Sequence, residues 1–166
     1  MSTYASAEAA ILTLVRSYAS GSVFTAVNSA IDDWLVADAE SDEAAVLTQV
    51  GDIEEADAFD GERGSHGTRQ ERYRIGVHLL VKVRDGEGGP GAADAALKTL
   101  TAAMRTHLRQ YERLNGATGI KRAQIERTSQ PQDVQRRTPG APRAVLQTIV
   151  VLINGAFAPV VVEYSN

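Results

Sequence analysis

No cysteine occurs in the 166 residues, which excludes a disulfide framework and any metal centre built on thiolates. Aromatic residues make up only 5%, so the core must be assembled from Ala, Val, Leu and Ile, and few flat side chains exist on which bases could stack. Positive charge is almost missing from the first 62 residues, which hold thirteen carboxylates against the single Arg16. No apolar run is long enough to cross a bilayer. The opening MSTYASAEAA also lacks the basic region and apolar stretch of a secretory leader. The expectation is a protein made in the cytosol that stays in solution, with no membrane partner.

Catalytic signatures are missing too. There is no G-x-S-x-G nucleophile elbow, and His66, His78 and His107 stand at no metal-ligand spacing. Asp60-Gly61 suits a calcium loop, but Ala56 and Ala58 occupy the first two ligand positions and defeat it. Asp38, Glu40, Asp42 and Glu43 read as a solvated acidic loop. No cofactor, no metal and no catalytic residue is expected.

What the chain does have is a hydrophobic content of 43%, enough for one domain with a real core. It also has a strong charge polarity. Residues 63–143 carry sixteen Lys and Arg against seven carboxylates, so the two regions stand at −12 and +9; Glu163 completes the net −4. Such a split suits a nucleic-acid partner on the basic side, or a subunit whose unlike faces meet neighbouring copies. The second fits better, because no helix concentrates the positive charge.

Hydrophobic periodicity predicts the elements. Residues 6–19 form a helix with Ile11, Leu12, Leu14, Val15 and Tyr18 on its apolar stripe and Ser6 as N-cap. SVFTAVNSAIDDWL fits either a short strand, through Val23, Thr25 and Val27, or a helix, through Phe24, Val27 and Ile31, and the strand followed by an irregular segment is preferred; a strand at 44–57 comes next, with Gly51 as a bulge. The strand at 71–84 alternates most clearly. Tyr73, Ile75, Val77, Leu79, Val81 and Val83 make its core face, and Arg72, Arg74, His78, Lys82 and Arg84 its open one. That basic stripe is either a wet sheet surface or a contact face for an acidic neighbour. A helix over 91–114 buries Ala93, Leu97, Leu100, Met104, Leu108 and Tyr111, and Asn115-Gly116 stops it. A weaker strand at 119–128, a polar excursion at 128–142 and a nearly continuous apolar strand at 143–155, central in its sheet, complete the domain. The fold class is α+β: a mostly antiparallel sheet with an N-terminal helix and one long helix packed on one face. Residues 1–155 form the domain and 156–166 a C-terminal arm, whose Val160, Val161 and Val162 are candidate apolar contacts.

Gly86, Gly88 and Gly91 match G-x-G-x-x-G between a strand and a helix. A dinucleotide fingerprint, however, needs a strand buried on both faces and an acidic residue about twenty positions on, at the end of a second strand. Here the strand is amphipathic, Glu87 and Pro90 interrupt the run, and the position twenty residues on falls inside the helix. The glycines serve a turn.

In layout the chain resembles the tail terminator proteins of long-tailed bacteriophages. The resemblance rests on a charged loop leading into a strand (GTRQERYRIGVHLLVKVRDG), a following helix (AADAALKTLTAAMRTHLRQYERLNG) and two final strands (GIKRAQIERTSQP and PRAVLQTIVVLING), and it covers residues 6–155. It implies a structural virion protein of the neck. Such a protein would form a hexameric ring on the last ring of tail tube protein, stop polymerisation and dock the head connector, with DNA passing through unread. Another head–tail joining component, or a nucleotide- or nucleic-acid-binding module, is the alternative. The acidic 32–62 segment and the arm after Gly155 depart from that layout.

Overall fold

The computed structural model describes residues 2–18, 23–25, 41–57, 68–83, 91–134 and 143–157. Helix α1 spans Tyr4–Tyr18. Strands β1 (Val23–Thr25), β2 (Ser41–Asp57) and β3 (Arg69–Val83) follow. Next come helix α2 (Ala92–Gln110), β4 (Ile120–Thr128), β5 (Gln132–Asp133) and β6 (Arg143–Phe157). The sheet order is β1-β2-β3-β6-β4, with β5 also on β6. Every pairing is antiparallel except β1 with β2. This is the α+β architecture expected from the alternation and helical periods.

Strand β3 shows why the alternation was informative. Tyr73, Ile75, Val77, Leu79 and Val81 are all at most 2% exposed and share one cluster with Leu97, Met104 and Leu108 of α2 and Ile11 and Val15 of α1. Both helices therefore cover the same face. Each such side chain, fully buried, contributes roughly 1.5–3 kcal/mol. Strand β6 lies between β3 and β4 and supplies Ile149, Val151 and Ile153 to that cluster. Gln147 interrupts its apolar face, but it accepts from Thr101 Oγ1 of α2 (2.9 Å) and donates to the Ser129 carbonyl (2.9 Å), so both ends of its amide are used. The strand runs on to Phe157, opposite Arg69, so Ala156 and Phe157 belong to the sheet rather than to the predicted arm.

The bulge expected at Gly51 is present. The β2–β3 register shifts between Val50 and Glu54, and Gly51 has φ 80°, the left-handed region glycine tolerates.

Two helix boundaries differ from the sequence reading. Helix α1 begins at Tyr4 with Thr3 ahead of it, not after Ser6. The cause is distant in sequence: the buried Glu71 carboxylate on β3 accepts from the Thr3 backbone N–H and hydroxyl through Oε1, and from Ser2 Oγ at 3.1 Å. With its own proton given to Glu71, Thr3 Oγ1 accepts from the Tyr73 phenol (3.0 Å). Burial pushes that phenol up to about 12, so it keeps its proton. Helix α2 ends at Gln110 rather than near 114: Tyr111 already leaves the helical region (φ −116°, ψ 72°), and Leu114 and Asn115 then take positive φ (49° and 57°). That unwinding lets Leu114 reach the core, 7% exposed. It also leaves Tyr111 38% exposed, its ring tilted against His107 with centroids 4.4 Å apart, where the helical periodicity had placed it inside.

The glycine run leads from β3 toward α2, but β3 is antiparallel to both of its neighbours. A parallel strand–helix–strand crossover is what a dinucleotide site requires. Gly86 and Gly88 lie outside the described residues. Gly91 precedes α2 at φ −102°, with open space where a Cβ would stand.

Candidate functional site

The four described residues of the predicted basic stripe, Arg72, Arg74, His78 and Lys82, do not behave as one surface. Arg72 is exposed and pairs with Glu54 across the strands (3.3 Å). Arg74 donates twice to Glu126 of β4, at 2.7 and 3.1 Å. That hydrogen-bonded guanidinium holds the Glu126 carboxyl below the usual carboxylate range. His78 lies between two hydroxyls, Thr48 Oγ1 on Nε2 (2.8 Å) and Thr148 Oγ1 on Nδ1 (2.8 Å), each from a neighbouring strand. Burial lowers its pKa. Gly76 beside it leaves the room, since a Cβ there would meet Thr48 Oγ1 and Val50 at 3.1 Å.

Lys82 corrects the expectation outright. It is fully buried, not part of an open face. The outer face at this end of the sheet is covered: Ala44, Val46, Leu80 and Ala144 form a second apolar cluster, with Val134 and Leu146 packed on it. Alternation assigns a residue to a face but cannot say whether that face is wet, and at Lys82 it is not. Arg84, Val160, Val161 and Val162 lie outside the described residues, as do residues 32–40 and 58–62 of the acidic 32–62 segment.

What remains accessible is organised by flank. Strand β1 pairs only with Ala45–Leu47 of β2. Among the described residues nothing else lies on that side of β2, whose later half exposes Asp52, Glu54 and Glu55. Glu54 and Glu55 are bridged to Arg72 and Arg69 (3.3 and 3.6 Å).

At the opposite edge of the sheet is β4, which carries Lys121, Arg122 and Arg127, all exposed. Between β4 and α2 runs a groove of about 590 Å³ lined by Arg105, Arg109 and Arg127, together with Glu112, Glu126 and Thr128. Arg105 and Arg109 stand four apart on α2 and so share a helix face, a signal the sequence offered but the strand stripe overshadowed. Arg105 Nε and Thr128 Oγ1 are buried there without a hydrogen-bond partner. Among the described residues no cluster of three or more His, Asp or Glu could hold a metal ion, and no helix is long and apolar enough to cross a membrane.

No family model matches the chain, and no curated protein matches it either.

Proposed function

We propose that this chain is a structural subunit of a bacteriophage neck, a tail terminator that forms a ring on the end of the tail tube, stops its growth and presents a docking face to the head connector. In this reading it has no catalytic role, and it works in the virion. DNA passes through the ring without sequence-specific contacts.

The layout of charged loop, strand, helix and final strand pair supports the reading. The observation that carries it is the opposite charge of the two sheet flanks, acidic at the later half of β2 and basic at β4 and the α2 groove. Unlike patches on opposite sides of one subunit make a head-to-tail contact, and such contacts close into rings when the rotation per subunit allows. Complementary charge would steer and orient that association, while apolar area supplies most of its stability.

Native mass spectrometry and negative-stain microscopy of the purified protein, alone and with tail tube protein, test the proposal. The expected result is a closed ring, hexameric as in the family resembled, and tubes capped at one end. A ring that binds the connector but leaves tube length unchanged would make it another head–tail joining component. A protein that stays monomeric and ignores tube protein at high concentration would overturn the reading.

A further inference from the structure

The groove between α2 and β4 has features that a merely wet surface does not need. Three arginines, Arg105, Arg109 and Arg127, converge on it. Arg105 is half-buried, its Nε closed off from solvent, and neither that N–H nor the enclosed Thr128 hydroxyl has a partner. Buried polar atoms are normally satisfied, and the few that are not call for an explanation. Here two orphans occur in one groove. An oxygen acceptor entering it would meet the Arg105 guanidinium and, after a small rotation, the Thr128 hydroxyl.

The lining also says which acceptor. Of its two carboxylates, Glu126 is already held by Arg74 through two hydrogen bonds. Glu112 adds one exposed negative charge. Three cations against one such carboxylate leave an excess of two positive charges, enough to hold an incoming side-chain carboxylate. A run of phosphodiesters would bring further negative charge against Glu112, and the groove offers no aromatic on which bases could stack.

A carboxylate of the right kind is carried on the far flank of this same chain. The bulge between Val50 and Glu54 takes residues 51–53 out of the β2–β3 ladder, and Asp52 is exposed on it. Its acidic neighbours Glu54 and Glu55 are engaged by Arg72 and Arg69; Asp52 has no ion pair among the described residues. Strands β2 and β4 are separated by β3 and β6, so the bulge cannot reach the groove of its own copy. A second copy can bring it there.

We infer that the Arg105 groove is the receiving site for Asp52 of an adjacent copy, a directional salt bridge that sets the head-to-tail order of the ring. The identity of the partner rests on the ring-forming reading above; the groove's chemistry stands on its lining.

Charge reversal tests it in the full-length protein, with sedimentation velocity for self-association and circular dichroism for folding. Arg105→Glu and Asp52→Arg should each weaken association by roughly tenfold or more, since like charges are then opposed. The double variant should recover most of the loss. Arg105→Gln, which keeps the bulk and removes the charge, serves if the reversal at 105 does not fold. Wild-type association that persists unchanged in Arg105→Glu and Arg105→Gln would overturn the groove while leaving the ring reading intact. Loss in both single variants without recovery in the double would overturn the pairing with Asp52. A wild-type protein that never associates would overturn the ring reading itself. Protection of Arg105 by millimolar inorganic phosphate but not by an Asp-containing peptide of residues 48–57 would replace the protein carboxylate with a free oxyanion.

Discussion

Replacing Gly155 by Ala would place a methyl group where the N-terminal cap of the molecule sits. Gly155 lies on β6 opposite Glu71 of β3 and Ile120 of β4. A Cβ there would overlap Thr3 Oγ1 and crowd Thr3 Cβ and Cγ2 at 3.1 Å. Thr3 cannot retreat cheaply, because its hydroxyl and backbone N–H are both committed to Glu71 and its oxygen receives the Tyr73 phenol. Overpacking of this kind costs about 1–3 kcal/mol, and loss of the cap adds about 1 kcal/mol. In a domain of this size the sum lowers Tm by roughly 4–16 °C. The decisive assay is a double-mutant cycle by thermal and urea denaturation, with Thr3→Ala as the second change. Thr3→Ala removes the atoms that clash most closely, so Gly155→Ala should cost less than about 1 kcal/mol in that background. An equal cost in both backgrounds would refute the reasoning, because the penalty would then come from the strand itself.

Three further outcomes are expected. His78 has a lowered folded-state pKa from burial, so the unfolded chain binds its proton more readily. Its contribution is intact above the ordinary value of 6.5 and is lost as pH falls from there through the folded value. The slope is at most about 1.4 kcal/mol per pH unit, and His78→Gln should flatten it in urea melts run above the carboxylate range. Val81→Asp should abolish cooperative folding, since Val81 is 2% exposed in the main cluster and an unpaired buried carboxylate costs several kcal/mol; a soluble variant with a sharp melt would contradict the face assignment. Gly91→Ala should leave stability unchanged or raise it by about 0.4–1 kcal/mol, because φ is negative and the added methyl meets nothing; a fall in Tm would show that the turn needs glycine.

The elements legible in the sequence were those whose environment is nearly uniform along their length. Strand β3 keeps one face in the core from Tyr73 to Val81, so a period of two appears. Strand β6 is covered on much of both faces, which produced its near-continuous apolar run. Gly51 announced a bulge because few other residues accept its backbone conformation. What the sequence could not show depended on partners far along the chain. Glu71 looked like one more charge on a basic strand, yet it caps a helix 68 residues away. Lys82 was assigned to open solvent because nothing in 71–84 reveals that this end of the outer face is buried. The candidate site was missed for a related reason. Its arginines come from a helix flank and an edge strand, and neither segment is unusual until the two are placed side by side.

The position of β6 has a consequence for how the molecule comes into being. Every described strand from β1 to β5 leaves the ribosome before β6, yet β6 is the strand on which β3, β4 and β5 all pair. Until Arg143–Phe157 has emerged, β3 has a neighbour on one side only, while β4 and β5 have none in the final sheet. The growing chain therefore carries an unsatisfied, apolar sheet edge from the completion of β3 until β6 has emerged, the condition under which nascent proteins stick to one another. A chain cut short before Arg143 would keep the β2–β3 pair but expose the inner flank of β3 for good. Such a fragment should bind chaperones or aggregate rather than accumulate as a smaller folded domain.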